Sequence, residues 1–309
     1  MSTVAIVMTT YNGEKYVEEQ IKSILSSTYQ DFELFIFDDG SKDSTFSILE
    51  RYQADYPDKI HVVLNSVNHG VTMNFIQALA KMTADYIMFS DQDDVWLPNK
   101  IGITIKRMKH MEAQYSKEDP IAVFTDAQVV DQNLSTIHPS FFGSGRLDPR
   151  KTDLAHLLME NKLIGCTVMV NAALRRKLQG NRLPQNARFH DWWVALIAAS
   201  FGRISFVEES TLLYRQHGNN MVGDSGFVAY LKNRLSNLRK QKETLHALYR
   251  QAEDFLSIYY NQLSEENRDI LRRFSALEEL GFVKKRFEAV HGGFLKSGMI
   301  RNLGLLLIL

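Results

Sequence analysis

The feature that most constrains this chain is a rhythm. Over the first 130 residues, short apolar runs alternate with stretches whose apolar residues recur at helical spacing. The runs "VAIVMT" (4–9), "ELFIFDD" (33–39), "IHVVLN" (60–65), "DYIMFS" (85–90) and "IAVFTDAQVV" (121–130) have the length and side-chain types of strands. Between the first two, Val17, Ile21, Ile24 and Leu25 share one helical face. After the second comes "SKDSTFSILERYQADYP", opened by Ser and Asp and stopped at Pro57, and a further helix is expected over roughly 72–82. This alternation predicts an α/β fold with a parallel, doubly wound sheet, whose ligands bind at the carboxyl ends of the strands. "TTYN" (9–12), "DDGS" (38–41) and "DQDD" (91–94) each follow an expected strand, so they should converge on one crevice.

Beyond residue 130 the order loosens. Residues 131–153, rich in Ser, Pro and Gly, read as a loop. "GCTVMV" (165–170) and "RISFVEE" (203–209) read as strands on either side of a helix opened by "FHDWWVALIAA", and from about 227 the pattern is nearly all helical. Cys166 is the one cysteine, which excludes a disulfide framework and points to a reducing compartment. The start "MSTVAIVMTT" has no basic leader and reads as the first strand. No run reaches the ~20 apolar residues that span a bilayer.

The crevice must answer a question of charge. Asp91, Asp93 and Asp94 lie within four positions at the end of an apolar strand. Carboxylates so close repel one another and lose hydration, so a cation or a set of donors has to compensate them. The first strand leads into TTYN rather than a G-x-G-x-x-G turn, and the chain has no G-x-x-x-x-G-K-[ST] loop. A Rossmann dinucleotide site and a P-loop therefore have little support.

Taken together, TTYN after strand one, DDGS after strand two, D-x-D-D after strand four, His190-Asp191 before a helix and R-x-H-x-x-N at 215–220 resemble the family 2 glycosyltransferases. The likeness holds in order and spacing over roughly residues 3–222. It implies an inverting, nucleotide-sugar-dependent enzyme with a GT-A catalytic domain over 1–226 and a helical C-terminal region over 227–309. Within the family, the "SDQDDVW" form and the basic helical tail are most similar to the streptococcal rhamnosyltransferases of cell-wall polysaccharides. That narrower likeness implies dTDP-L-rhamnose as donor and a lipid-linked glycan as acceptor. A UDP-sugar (glucose, galactose or N-acetylhexosamine) is the alternative donor. A nucleotidyltransferase would want a Gly/Arg-rich loop where this chain has TTYNGEKY, and a non-catalytic glycan-binding protein is the rival outside enzymes.

The resemblance also implies roles for particular residues. Asp93, with Asp91 and His217, would hold Mn²⁺ or Mg²⁺ against the donor's diphosphate, Asp91 lying near the ribose or the metal. Thr9, Tyr11 and Asp39 would form the base pocket, with Tyr11 stacking and Asp39 accepting from the base. Arg215 would hold a phosphate. Asp94 is expected to brace its loop and Asp38 to serve the turn. Asp191 is the expected general base, with a helix-capping role as its sober alternative. His190 departs from the acidic residue usual in that pair. Of Trp192 and Trp193, one should line the acceptor or sugar pocket and the other belong to the core.

The net charge of zero conceals an asymmetry. From Phe227 onward there are fourteen Lys/Arg against nine Asp/Glu, out of 36 of each in the chain. In residues 231–250, six basic side chains accompany one acid, and Leu231, Leu235, Leu238, Leu245 and Leu248 recur near helical spacing. The chain ends "GGFLKSGMIRNLGLLLIL". That profile suits amphipathic segments on an anionic membrane surface, or a homodimer seam, or helices packed on the catalytic domain. The expected place is cytoplasmic, peripheral on the inner face of the cell membrane, with no nucleic-acid partner. Because the nucleotide motifs all precede Met221, residues 294–309 are expected to be dispensable for donor cleavage.

Overall fold

A computed structural model of the chain describes residues 4–217 and 238–309. The expected domain boundary at 226/227, Asn220 and the leucines at 231 and 235 lie outside the described residues, as does the side chain of Leu238.

The five early strands form where the apolar runs predict them. They are β1 (Val4–Thr10), β2 (Phe32–Asp38), β3 (Ile60–Leu64), β4 (Tyr86–Ser90) and, after the two-residue β5 (Val95–Trp96), β6 (Ile121–Val130). The helices between them are α1 (Val17–Leu25), α2 (Thr45–Asp55), α3 (Val71–Lys81) and α4 (Lys100–Gln114). α1 buries Val17, Ile21 and Ile24, the face its spacing marks out. The later elements are β7 (Thr136–His138), α5 (Phe141–Gly145), α6 (Leu154–Met159), β8 (Met169–Asn171), α7 (Ala172–Gln179), α8 (His190–Phe201) and β9 (Arg203–Arg215). Four helices close the chain: α9 (Leu238–Tyr259), α10 (Glu265–Ala276), α11 (Phe282–His291) and α12 (Met299–Ile308).

One sheet of nine strands runs β3-β2-β1-β4-β8-β6-β9-β5, with β7 on the side of β6. β1 pairs in parallel with β2 and β4, and β2 with β3, as the alternation requires. The second half departs from the expected parallel sheet. β8 runs antiparallel to both β4 and β6, while β6 and β9 are parallel again. The chain re-enters the sheet in the opposite sense at β8, after a connection that carries β7, α5 and α6. "GCTVMV" contributes a 3-10 turn (Gly165–Thr167) and only then the short β8. The stretch expected to be loop carries β7 and α5, and β9 continues well past residue 209 to Arg215.

α8 shows why the C-terminal helices sit where they do. Its residues Trp192–Ala198 are buried on every side, the mark of a helix enclosed by packing all round. It meets the sheet at β6 and β9 and the helices α3, α6 and α7 beside it, while α9 covers Trp193, which packs on Phe255 and Tyr259 at ring separations of 5.1 and 6.4 Å. Leu245 and Leu248, two of the stripe residues, are buried in this same core with Tyr249 and Phe274. The stripe of α9 therefore faces protein. No described helix is long and apolar enough to cross a membrane.

Candidate active site

The carboxyl ends of β1, β2 and β4 meet as expected, and hydrogen bonds lock them together. Gln92 accepts from the Tyr11 N–H at 2.9 Å and donates back to the Tyr11 carbonyl at 3.1 Å. Asn12 N–H donates to Ser41 Oγ, and Asn12 Oδ1 accepts from the Lys42 N–H. A Cβ at Gly13 would lie 2.3 Å from Gln92 Oε1 and displace that bridge. These loops line a cavity of about 850 Å³, closed on its far side by Asn161–Gly165, Phe189–Trp192 and the aromatic pair Phe141 and Phe142.

Of the residues singled out from sequence, Thr9, Tyr11, Asp39, Asp91, Asp93, Asp191, Trp192 and His217 line this cavity together. Tyr11 is half exposed, with its ring available to a ligand. Asp39 is already well supplied: it accepts from Asn65 Nδ2 and from the N–H groups of His69 and Gly70, at 2.8–3.0 Å. A ligand donor there would have to share those lone pairs. Asp38 accepts from Thr10, Gly40 and Ser41 and is fully buried, the turn role expected of it.

Arg215 corrects the sequence reading. Its side chain is buried, stacks 4.6 Å over Tyr16 and does not line the cavity. Nε donates to the Asp93 carbonyl at 2.8 Å, Nη1 to the Gln132 carbonyl at 2.7 Å, and Nη2 pairs with Glu19. A guanidinium committed to protein oxygens in this way holds the D-x-D-D loop rather than a phosphate. Its backbone N–H also donates to Asp94 Oδ1, at 3.1 Å. Asp94 is buried and braces the loop, as expected.

The acidic end of the cavity has the donor set of a hard cation. Asp93 Oδ2 lies 2.8 Å from His217 Nε2, whose ring stacks on Tyr16 at 5.0 Å. Burial pushes the Asp91 carboxyl well above its usual range, and repulsion from Asp94, Asp93 and Asp191 adds to the rise. Oxygen ligands crowded so that they repel each other are what a divalent ion binds, and these residues fit Mg²⁺ or Mn²⁺. Asp91, Asp94 and Cys166 also bring ligand atoms within 4.8 Å of one another. Burial, then Asp94 and Asp91, push the Cys166 thiol up, and the thiol donates to Asp94.

Asp191 sits in the first turn of α8, where Phe189 occupies the capping position. Its Oδ1 accepts from the Trp192 N–H at 2.6 Å, and Gly165 N–H and the Asn161 side chain also donate to it. Burial outweighs these bonds and lifts its pKa to about 7. Such a carboxyl can take a proton near neutral pH. Trp192 donates Nε1–H to the Leu157 carbonyl and lines the cavity from within the core, while Trp193 is wholly core. His190 is a wedge: it stacks on Phe75 at 3.8 Å, and burial pulls its pKa to about 3, so it is neutral.

Sequence reasoning missed Gln92, Asn161 and a buried cluster behind the cavity wall. Glu160 Oε1 accepts from Arg301 at 3.0 Å, and Oε2 accepts from the Ser297 N–H at 2.8 Å and pairs with Lys162. Lys162 Nζ also donates to Ser297 Oγ at 2.6 Å. The segment that supplies Asn161 to Asp191 is thus tied to α12. Residues 294–309 are structural: Phe294, Ser297, Arg301, Leu305 and Ile308 are buried. The expectation that they are dispensable for donor cleavage is therefore set against a buried tie between this segment and the cavity wall.

Comparison with known proteins agrees with this geometry. Residues 5–179 match the family model described as glycosyl transferase family 2. The dTDP-rhamnosyl transferase RfbG of Shigella flexneri is 31% identical over 224 residues, 70% of this chain and 73% of that protein. TarS 1-349 of S. aureus aligns with a TM-score of 0.56 at 17% identity, over 98% of this chain and 77% of that one. The mannosyltransferase PcManGT from Pyrobaculum calidifontis, solved with GDP-Man and Mn²⁺, aligns with a TM-score of 0.55 at 16% identity, over 94% and 73%. These structures share the GT-A fold with the chain.

Proposed function

The chain belongs to glycosyl transferase family 2, and on that premise we propose that it transfers L-rhamnose from dTDP-L-rhamnose, with inversion, to a lipid-linked glycan at the membrane surface. The observation that carries the reading is Asp191, a carboxyl of pKa about 7 facing the same cavity as the three strand-end loops. A single displacement needs one base near the acceptor hydroxyl and opposite the leaving phosphate. Asp191 takes that proton on its carboxylate, and Asn161 and the Gly165 N–H keep the group oriented.

On the donor side, Tyr11 stacks on the base and Thr9 lies beside it at the end of β1. Asp39 fixes the residues around Gly70 and shares a lone pair with the base. Asp93 and His217, with Asp91 adjacent, would hold Mg²⁺ or Mn²⁺, which supplies positive charge to the departing diphosphate. Arg215 positions that loop from behind. The ring of Trp192 gives an apolar wall suited to the methyl group of a deoxysugar. The named activity of the RfbG relative supports rhamnose over other sugars.

The test is a donor panel. The protein is incubated with Mn²⁺ and each of dTDP-L-rhamnose, UDP-glucose, UDP-galactose and UDP-N-acetylglucosamine, and nucleoside diphosphate release is followed. Turnover of dTDP-L-rhamnose above the others is expected. Preference for a UDP-sugar overturns the rhamnose assignment, and no release from any donor overturns the enzymatic reading.

A further inference from the structure

Two helices near the end of the chain are anchored by one face and bare on the other. α12 buries Arg301, Leu305 and Ile308, while Met299, Ile300, Leu303 and Leu307 stand 47–79% exposed along its opposite side. α11 buries Ala289 and leaves Phe282, Val283, Phe287 and Val290 52–75% exposed. Eight large apolar side chains bare within 26 residues are far more than the scattered exposure of an ordinary surface.

Charge identifies what covers them. From Phe282 to the end, five Lys/Arg accompany a single acid, Glu288, and Glu288 is already paired with Arg273 at 2.6 Å. Lys284, Lys285 and Arg286 lie among the bare residues of α11, and the Arg286 guanidinium sits 3.4 Å over the Phe282 ring. A second copy meeting this surface symmetrically would bring Lys284, Lys285 and Arg286 against their own counterparts, with Glu288, the one acidic side chain of the segment, already paired. An anionic lipid surface supplies the missing negative charge and an apolar layer beneath it.

We propose that α11 and α12 form an interfacial anchor, their bare faces among the acyl chains of an anionic membrane and Lys284, Lys285 and Arg286 at headgroup level. The anchor joins the active site through α12, whose Arg301 bonds Glu160 beside the cavity residues Asn161 and Lys162. Docking therefore holds the cavity wall near the bilayer, where a lipid-linked acceptor would be met. This last step rests on the transferase reading above, whereas lipid binding itself does not.

The experiment is co-sedimentation of the full chain with vesicles of phosphatidylcholine, with and without phosphatidylglycerol. The wild type should pellet with the anionic vesicles and be partly released by high salt. Leu303→Ser/Leu307→Ser and Val283→Ser/Phe287→Ser should each weaken partitioning on the order of a hundredfold. Lys284→Gln/Lys285→Gln should weaken it roughly tenfold or more on anionic vesicles only. Far-UV circular dichroism and donor cleavage without lipid should match the wild type in all three variants, which separates this proposal from the catalytic one. Variants that sediment like the wild type overturn the anchor. So does a wild type that ignores vesicles but sediments in the ultracentrifuge as a dimer that the serine variants dissociate.

Discussion

Glu160→Gln should destabilise the protein by about 3–5 kcal/mol, more than Arg301→Met, even though neither residue touches a ligand. Glu160, Lys162 and Arg301 are 9, 1 and 8% exposed. The amide would leave the Lys162 ammonium with neutral acceptors, Ser297 Oγ among them, and bring Arg301 to a group without charge. Removing one member of a buried ion pair strands the other, hence the range given. Arg301→Met gives up its bonds to Glu160 and to the Gly145 carbonyl but leaves Glu160 its Lys162 contact and the Ser297 N–H, so it should cost about 2–3 kcal/mol. Burial raises the Glu160 pKa, but Lys162 and Lys296 outweigh it and hold the group at about 2, from an ordinary 4.5. A depressed carboxylate contributes stability that is fully present above its unfolded value and fades as pH falls from about 4.5 through 2. That is worth about 3 kcal/mol at most, because burial of the Lys162 charge, whose pKa is lowered, works against it. Urea unfolding followed by circular dichroism, at pH 7 and at steps down to pH 3, measures both effects. A Glu160→Gln protein as stable as the wild type, or less affected than Arg301→Met, would refute the argument.

Three further outcomes follow from the cavity. Asp191→Asn should retain nucleoside diphosphate affinity and lose kcat; the wild type's kcat should rise with pH through about 7, where Asp191 deprotonates, and a pH–rate profile without that limb would remove it as base. Asp93→Asn should fold normally, with His217 losing its 2.8 Å partner, and lose Mn²⁺-dependent donor binding by calorimetry; normal Mn²⁺ dependence would reassign the loop. Tyr11→Ala should weaken nucleoside diphosphate binding by about 1–3 kcal/mol without changing stability, if its half-exposed ring stacks on the base as proposed; unchanged affinity would deny the stacking.

Much of this was legible in the sequence because it is local. β1, β2 and β4 are buried on both sides of the sheet, so their apolar runs are continuous, and the polar residues that end them are thrown to one edge. The convergence of TTYN, DDGS and DQDD needed nothing more. The antiparallel β8 was not legible, because a three-residue strand carries no periodicity from which direction can be read. Nor was the Glu160–Lys162–Arg301 cluster: its members lie up to 141 residues apart, and each alone looks like an ordinary surface charge.

Arg215 and α9 illustrate the same limit from opposite sides. An arginine next to a nucleotide motif invites a phosphate, yet what fixes its role is whether its donors are already used, and Glu19, Gln132 and Asp93 become its partners only when β9 closes on the D-x-D-D loop. The leucine stripe of α9 invites a membrane, but the chain held a competing signal. "WWVALIAA" is apolar around the whole circumference of α8, and such a helix requires cover on the side away from the sheet. α9 supplies it through Phe255 and Tyr259, and buries Leu245 and Leu248 in the same cluster. An amphipathic stripe says that a helix has something to bury against; where an uncovered apolar helix exists elsewhere in the chain, that helix has first claim. By this argument the apolar surface left for the proposed lipid contact is that of α11 and α12, whose bare faces have no such partner among the described residues.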